Sequence, residues 1–249
     1  MDKSLILSFN KVFFGVLLLL VAITVFGTYN ADVLFFKTTK ALFIPVLLIF
    51  FFINNKVLSL SFIAFFVFSF LGDASLVFFE SVFFIKLSSV FYFLSYACLI
   101  GVAIKRFKFF DIDKVVGVYL IVIFLINAYF LYTLFGVLKA IVPDSLEVFL
   151  FGVKNISLVL LTFLAFGKYL ASDTKTSILF LMVALCLAFS TILNYINVYY
   201  VYNWSFVMIE RVLYAVGIYL LFNYVIELNK EPKKVQIQDK TYNPDTIFS

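Results

Sequence analysis

Four charged side chains interrupt apolar runs of this sequence: Asp73 in FSFLGDASL, Lys154 in LFGVKNISL, and the neighbours Glu210 and Arg211 in SFVMIERVL. Polar side chains accompany them: Asn155 beside Lys154, Ser190, Thr191 and Asn194 in AFSTILNYIN, and Tyr214 one turn beyond Glu210. Two carboxyl groups, one giving and one taking a proton, are the equipment of acid–base hydrolysis. A lysine or arginine beside them can hold an anion such as a phosphate. A charged side chain in hydrocarbon costs about 2.5–3.5 kcal/mol on insertion scales, so it faces a bundle interior or a cavity and marks a functional site.

What the chain lacks narrows the chemistry. It has no histidine, which removes the Ser-His-Asp and Cys-His arrangements of nucleophilic hydrolysis and deprives zinc or iron of a common ligand. Neither metal nor cofactor is expected. Cys98 and Cys186 both lie in apolar runs, where a free cysteine packs as a small hydrophobe. There is no Gly-rich phosphate loop and no internal repeat, and nothing suggests nucleic acid.

The elements that must position these residues are membrane helices. Apolar residues make up 65% of the chain and charged residues 13%, with mean hydropathy +1.13. Soluble domains have roughly 45–50% and about 25%. A spanning helix needs about 20 apolar residues, and hydropathy places eight spans near 12–28, 40–54, 57–79, 82–104, 115–135, 148–168, 177–197 and 205–227. The expected fold is thus an all-α polytopic bundle over residues 1–228, with a polar, disordered tail over 229–249. The second span is the shortest and holds Pro45, which removes a backbone donor and predicts a kink.

Basic residues orient the bundle. Thirteen of the 19 Lys and Arg fall on the side shared by the N-terminus, the even-numbered connections and the tail. Four, Lys37, Lys40, Lys86 and Lys139, fall on the other side, and Lys154 and Arg211 lie within spans. The positive-inside rule then predicts both termini in the cytoplasm. The plasma membrane is the expected location.

With topology assigned, residue number becomes depth at about 1.5 Å per residue. Asp73 lies about 24 Å up its helix, and Lys154, Asn155, Glu210, Arg211, Ser190, Thr191 and Asn194 lie about 8–10 Å in from the opposite side. The polar residues of four helices therefore share one outer-leaflet layer. Spacings of i, i+3, i+4 and i+7 put Ser69, Gly72 and Asp73 on one face, Ser190, Asn194 and Asn197 on another, and Glu210, Tyr214 and Gly217 on a third. Glu210 and Arg211 diverge by about 100° and are expected to pair with other helices rather than with each other. The alternatives are an exposed Gly72-Asp73 turn and snorkelling by Lys154 and Arg211.

The Gly-Asp of FSFLGDASL, with Leu76 after it, and the basic Lys40 followed by Pro45 opening helix two resemble the YhhN-like family of integral membrane proteins. LFLMVALCLAFSTILNYIN resembles that family's seventh helix and LYAVGIYL its eighth. Thr191 stands where the family has an aspartate, Ile218 where it has a glutamine, and Tyr96 where it has a histidine.

Some members of that family are lysoplasmalogenases, which hydrolyse the vinyl ether of a lysoplasmalogen to a fatty aldehyde and a glycerophospho head group. For that reaction Asp73 is the expected acid, and Glu210, by its matching depth and its charge type only, is expected to replace the carboxylate absent at Thr191. Lys154, Asn155, Ser190, Thr191, Asn194, Arg211 and Tyr214 are then the expected contacts of a lysophospholipid. Two other functions fit the same residues: a non-catalytic lipid-binding or structural relative, and a small-solute transporter whose path is lined by Asp73, Lys154 and Glu210.

Overall fold

A computed structural model of the protein describes residues 3–29, 33–54, 58–78, 81–106, 114–172 and 174–230. The expected tail beyond 230, with Lys233, Lys234 and Lys240, lies outside the described residues, as do Lys56 and Lys108.

The described residues form eight helices and no strand: α1 Lys3–Tyr29, α2 Val33–Asn54, α3 Leu60–Phe78, α4 Val82–Arg106, α5 Lys114–Ile141, α6 Ser145–Ala171, α7 Lys175–Tyr199 and α8 Trp204–Lys230. Helices α3 to α8 are long and apolar enough to cross a membrane, and α1 and α2 contain shorter apolar stretches, Phe14–Gly27 and Thr38–Ile53. The chain is an all-helical membrane bundle. In hydrocarbon every backbone N–H and C=O must be satisfied within the segment, which a helix alone achieves for a single span.

Most helices outrun their apolar cores, because polar flanks continue the backbone ladder into the interface. Helix α2 therefore reaches back to Val33 with Pro45 inside it, and α3, at 19 residues, is the shorter of the two. The start of α6 is capped by Asp144, whose Oδ1 accepts from the N–H groups of Leu146 at 2.9 Å and Glu147 at 3.3 Å. Thr174 and Ser177 form a reciprocal capping box at the start of α7, satisfying donors that have no partner within the helix.

Six helices close a ring. Helix α2 packs on α3, α3 on α4, α4 on α6, α6 on α7, α7 on α8 and α8 back on α2. Helix α1 packs outside the ring against α2 and α8, and α5 packs against α6. The rest of α5 presents Val118, Ile121, Val122, Leu125 and Ile126 outward, as a lipid-facing helix should. Lipid tails are as apolar as the helices, so shape and polar ties hold the ring together. At Gly217 a side chain would meet Cys186 Cβ at 3.2 Å, so its absence lets α8 approach α7 closely.

The ring is filled at one end by aromatic side chains. Phe66 and Phe222 stack with centroids 4.4 Å apart and planes 8° apart, and Phe51 lies 5.1 Å from Phe222. Phe62 and Phe180 flank Tyr224, which has no exposed surface.

Candidate functional site

At the other end, where α2, α4, α6 and α8 begin and α3 and α7 finish, the ring parts around a cavity of about 400 Å³. That is within the roughly 300–1,000 Å³ of small-molecule sites. Asp73, Glu210, Arg211 and Tyr214 line it, together with Lys154 of α6 and Ser190, Thr191 and Asn194 of α7.

Asp73 is helical and 2% exposed, little more than a turn before the end of α3. It is not an exposed turn residue. Tyr92 of α4 donates its hydroxyl to Asp73 Oδ1 at 2.5 Å, and Tyr214 of α8 donates to Oδ2 at 2.7 Å. Gly72 makes the first contact possible: a Cβ there would stand 3.2 Å from the Tyr92 ring. The register of α3 on α4 is tied by Ser88 Oγ donating to the Gly72 carbonyl at 2.9 Å and Ser69 Oγ donating to Ser95 Oγ at 2.9 Å.

Lys40 joins the two carboxylates. Its ammonium lies 2.9 Å from Glu210 Oε1 and 3.7 Å from Asp73 Oδ1, and 4.9 Å from the centroid of the Tyr214 ring. The carboxylate oxygens thus lie no further apart than the sum of the first two distances. Paired carboxyl groups in glycosidases do acid–base work at separations of about 5–9.5 Å. Glu210 also receives Ser190 Oγ at 3.5 Å.

The arginine next to Glu210 pairs with it, contrary to the expectation that adjacent residues would diverge. Arg211 Nε lies 3.1 Å from Glu210 Oε2. The 100° step separates Cβ positions, but a long guanidinium side chain can fold back over its neighbour. Asn155 is also placed differently from expectation: it is buried, but its Nδ2 donates to the Phe151 carbonyl at 2.8 Å within its own helix, and it does not line the cavity.

Lys154 turns inward rather than out to the interface. Its ammonium stands 4.9 Å from the Phe151 centroid and 5.8 Å from that of Tyr92. Thr191 Oγ1 lies 3.4 Å from the Tyr96 hydroxyl. On the cavity wall Tyr199 donates to Glu147 Oε1 at 3.3 Å, and outside the lining Lys86 pairs with Asp144 Oδ2 at 2.5 Å. The hydrogen bond from Lys86 holds the Asp144 carboxyl below the usual carboxylate range.

Sequence reading alone did not bring Lys40, Tyr92 and Tyr96 to the carboxylates, although the resemblance touched Lys40 and Tyr96. The available signal was electrostatic. Two buried carboxylates at one depth require a cation near both, and Lys40 is the lysine at the head of the neighbouring span.

Comparison with family models, curated proteins and solved structures finds no match to this chain.

Proposed function

We propose that this membrane protein is a hydrolase of the lysoplasmalogenase type, cleaving the vinyl ether of a single-chain ether phospholipid. The observation that carries this reading is the sharing of one ammonium, Lys40 Nζ, by Asp73 and Glu210 on the wall of a cavity. The resemblance of FSFLGDASL to the YhhN-like family supports it independently.

Each carboxyl group has a distinct role. Glu210, in direct contact with Lys40 and Arg211, remains the anion. Asp73, whose nearest partners are two hydroxyls, delivers a proton to the β-carbon of the vinyl ether. A tyrosine hydroxyl can accept as well as donate, so either contact can reverse when Asp73 carries the proton. The resulting oxocarbenium ion is stabilised by Glu210 and attacked by water, and the hemiacetal collapses to a fatty aldehyde and a glycerophospho alcohol. One water is consumed, and the proton lost from it restores Asp73. With both termini in the cytoplasm the cavity opens to the outer face of the plasma membrane.

Purified protein in detergent, given a lysoplasmalogen, is expected to release fatty aldehyde, and Asp73→Asn to cut the rate by about 100-fold or more. Glu210→Gln is expected to impair it as well. No aldehyde from folded wild-type protein, or full activity in both variants, overturns the reading.

One observation favours a second reading, a lipid-binding relative without activity. Both Asp73 oxygens and both Glu210 oxygens already have protein partners, as they would in a network that only holds helices together. Lysolipid that co-purifies and is never cleaved would establish this alternative.

A further inference from the structure

We infer that Lys154 is the anion-binding residue of the cavity and that the cavity selects ligands bearing one negative charge close to their reactive or polar end. The inference rests on the lipid reading above and deepens it by naming the ligand's charge and the residue that meets it.

The cavity wall contains two kinds of cation. Lys40 and Arg211 are each committed to Glu210, and Lys40 to Asp73 as well. Lys154 has its ammonium over the Phe151 and Tyr92 rings, with no carboxylate within ion-pair distance among the described residues. Three basic side chains therefore stand around two carboxyl groups. Glu147, the remaining carboxylate of the lining, is held by Tyr199.

An ammonium over aromatic faces gains less from the rings than it loses by leaving water. A ligand anion supplies the difference. A phosphodiester or a carboxylate would each do so, since both carry a single charge and accept hydrogen bonds.

Position favours an anion attached to a short polar spacer. Tyr92 lies between the two subsites, with its ring beneath Lys154 and its hydroxyl on Asp73. An anion on Lys154 is thus separated from the Asp73 carboxyl by about one tyrosine side chain, comparable to the three-carbon glycerol that separates phosphate from ether oxygen in a lysophospholipid. A fatty acid, whose carboxylate adjoins its alkyl chain directly, spans this distance only with methylene groups.

The test measures binding with ligands that cannot be hydrolysed, using full-length protein in detergent. The probes are a saturated 1-alkyl lysophospholipid, the 1-alkylglycerol lacking its phosphate, and a fatty acid of equal chain length. Wild type is expected to prefer the phospholipid over the alkylglycerol by about tenfold or more, the worth of one charge-assisted hydrogen bond. Lys154→Gln is expected to abolish that preference while alkylglycerol binding persists, and Lys154→Arg to keep it.

Equal binding of phospholipid and alkylglycerol by wild type, or an undiminished preference in Lys154→Gln, overturns the assignment. Fatty acid binding as tight as the phospholipid and equally dependent on Lys154 would retain the anion site and overturn the glycerol spacing. A preference that is present while no aldehyde is ever released would leave the anion site standing and remove the hydrolase reading.

Discussion

Lys40 and Glu210 are in contact at 2.9 Å, although they are separated by 170 residues and lie on the second and eighth helices. The pair ties α2 to α8 at the open end of the ring, beside the edge-on contact of Phe43 with Tyr214. Lys40→Met would leave Glu210 with one direct cation and Asp73 with none. Breaking a buried pair in this way costs about 3–5 kcal/mol. Thermal unfolding in detergent is expected to shift down accordingly, and the combination with Glu210→Gln to recover part of the loss by removing the stranded charge. Additive losses would show that the two side chains are not energetically coupled.

Tyr92→Phe and Tyr214→Phe each remove one donor to Asp73 and almost no volume. A hydrogen bond to a charged group contributes about 1.5–3 kcal/mol, so each substitution is expected to slow aldehyde release about 10- to 100-fold. The loss should fall on kcat rather than KM, because the hydroxyls touch the proton donor and not the lipid chain. Wild-type rates in both variants would make these contacts purely structural.

Gly72→Ala tests the close approach of α3 to α4. The added methyl would meet the Tyr92 ring at 3.2 Å, tight enough to displace the ring and with it the Asp73 contact. A loss of about 1–3 kcal/mol is expected, with reduced activity. In a Tyr92→Ala background the same methyl enters vacated space, and its cost should disappear.

The pair of Lys86 with Asp144, the N-cap of α6, is an acid-sensitive tie. The Asp144 carboxyl is held below its ordinary value by Lys86, so the folded protein binds its proton less readily than the unfolded chain does. The resulting stabilisation is complete above the unfolded value of about 3.9 and is lost as pH falls through the depressed folded value. Asp144→Asn should therefore flatten part of the stability loss below about pH 4, and melting temperature against pH checks it. An unchanged acid limb would show that the tie is lost to solvent screening.

Much of this arrangement was legible in the sequence because a helix converts residue number into depth. Asp73, Lys154, Glu210 and Arg211 could be placed in one layer from their distances to span ends alone, and that layer is the cavity wall. Asn155 was misplaced by that reading because its amide bonds the Phe151 carbonyl of its own helix instead of entering the cavity.

Lys40 was not legible as a site residue, because a lysine at the head of a span reads equally well as a topology marker. Tyr92 and Tyr96 were hidden by abundance. In a chain that is 21% aromatic, a hydrogen-bonding tyrosine has the same periodicity as one that only packs. The partners of a carboxylate depend on which helices become neighbours, and hydropathy carries no information about that.

The stack of Phe66 on Phe222, with Phe51 beside it, plugs the end of the ring opposite the cavity. A molecule seated beside Asp73 and Glu210 meets a wall of rings in that direction, not a path through the bundle.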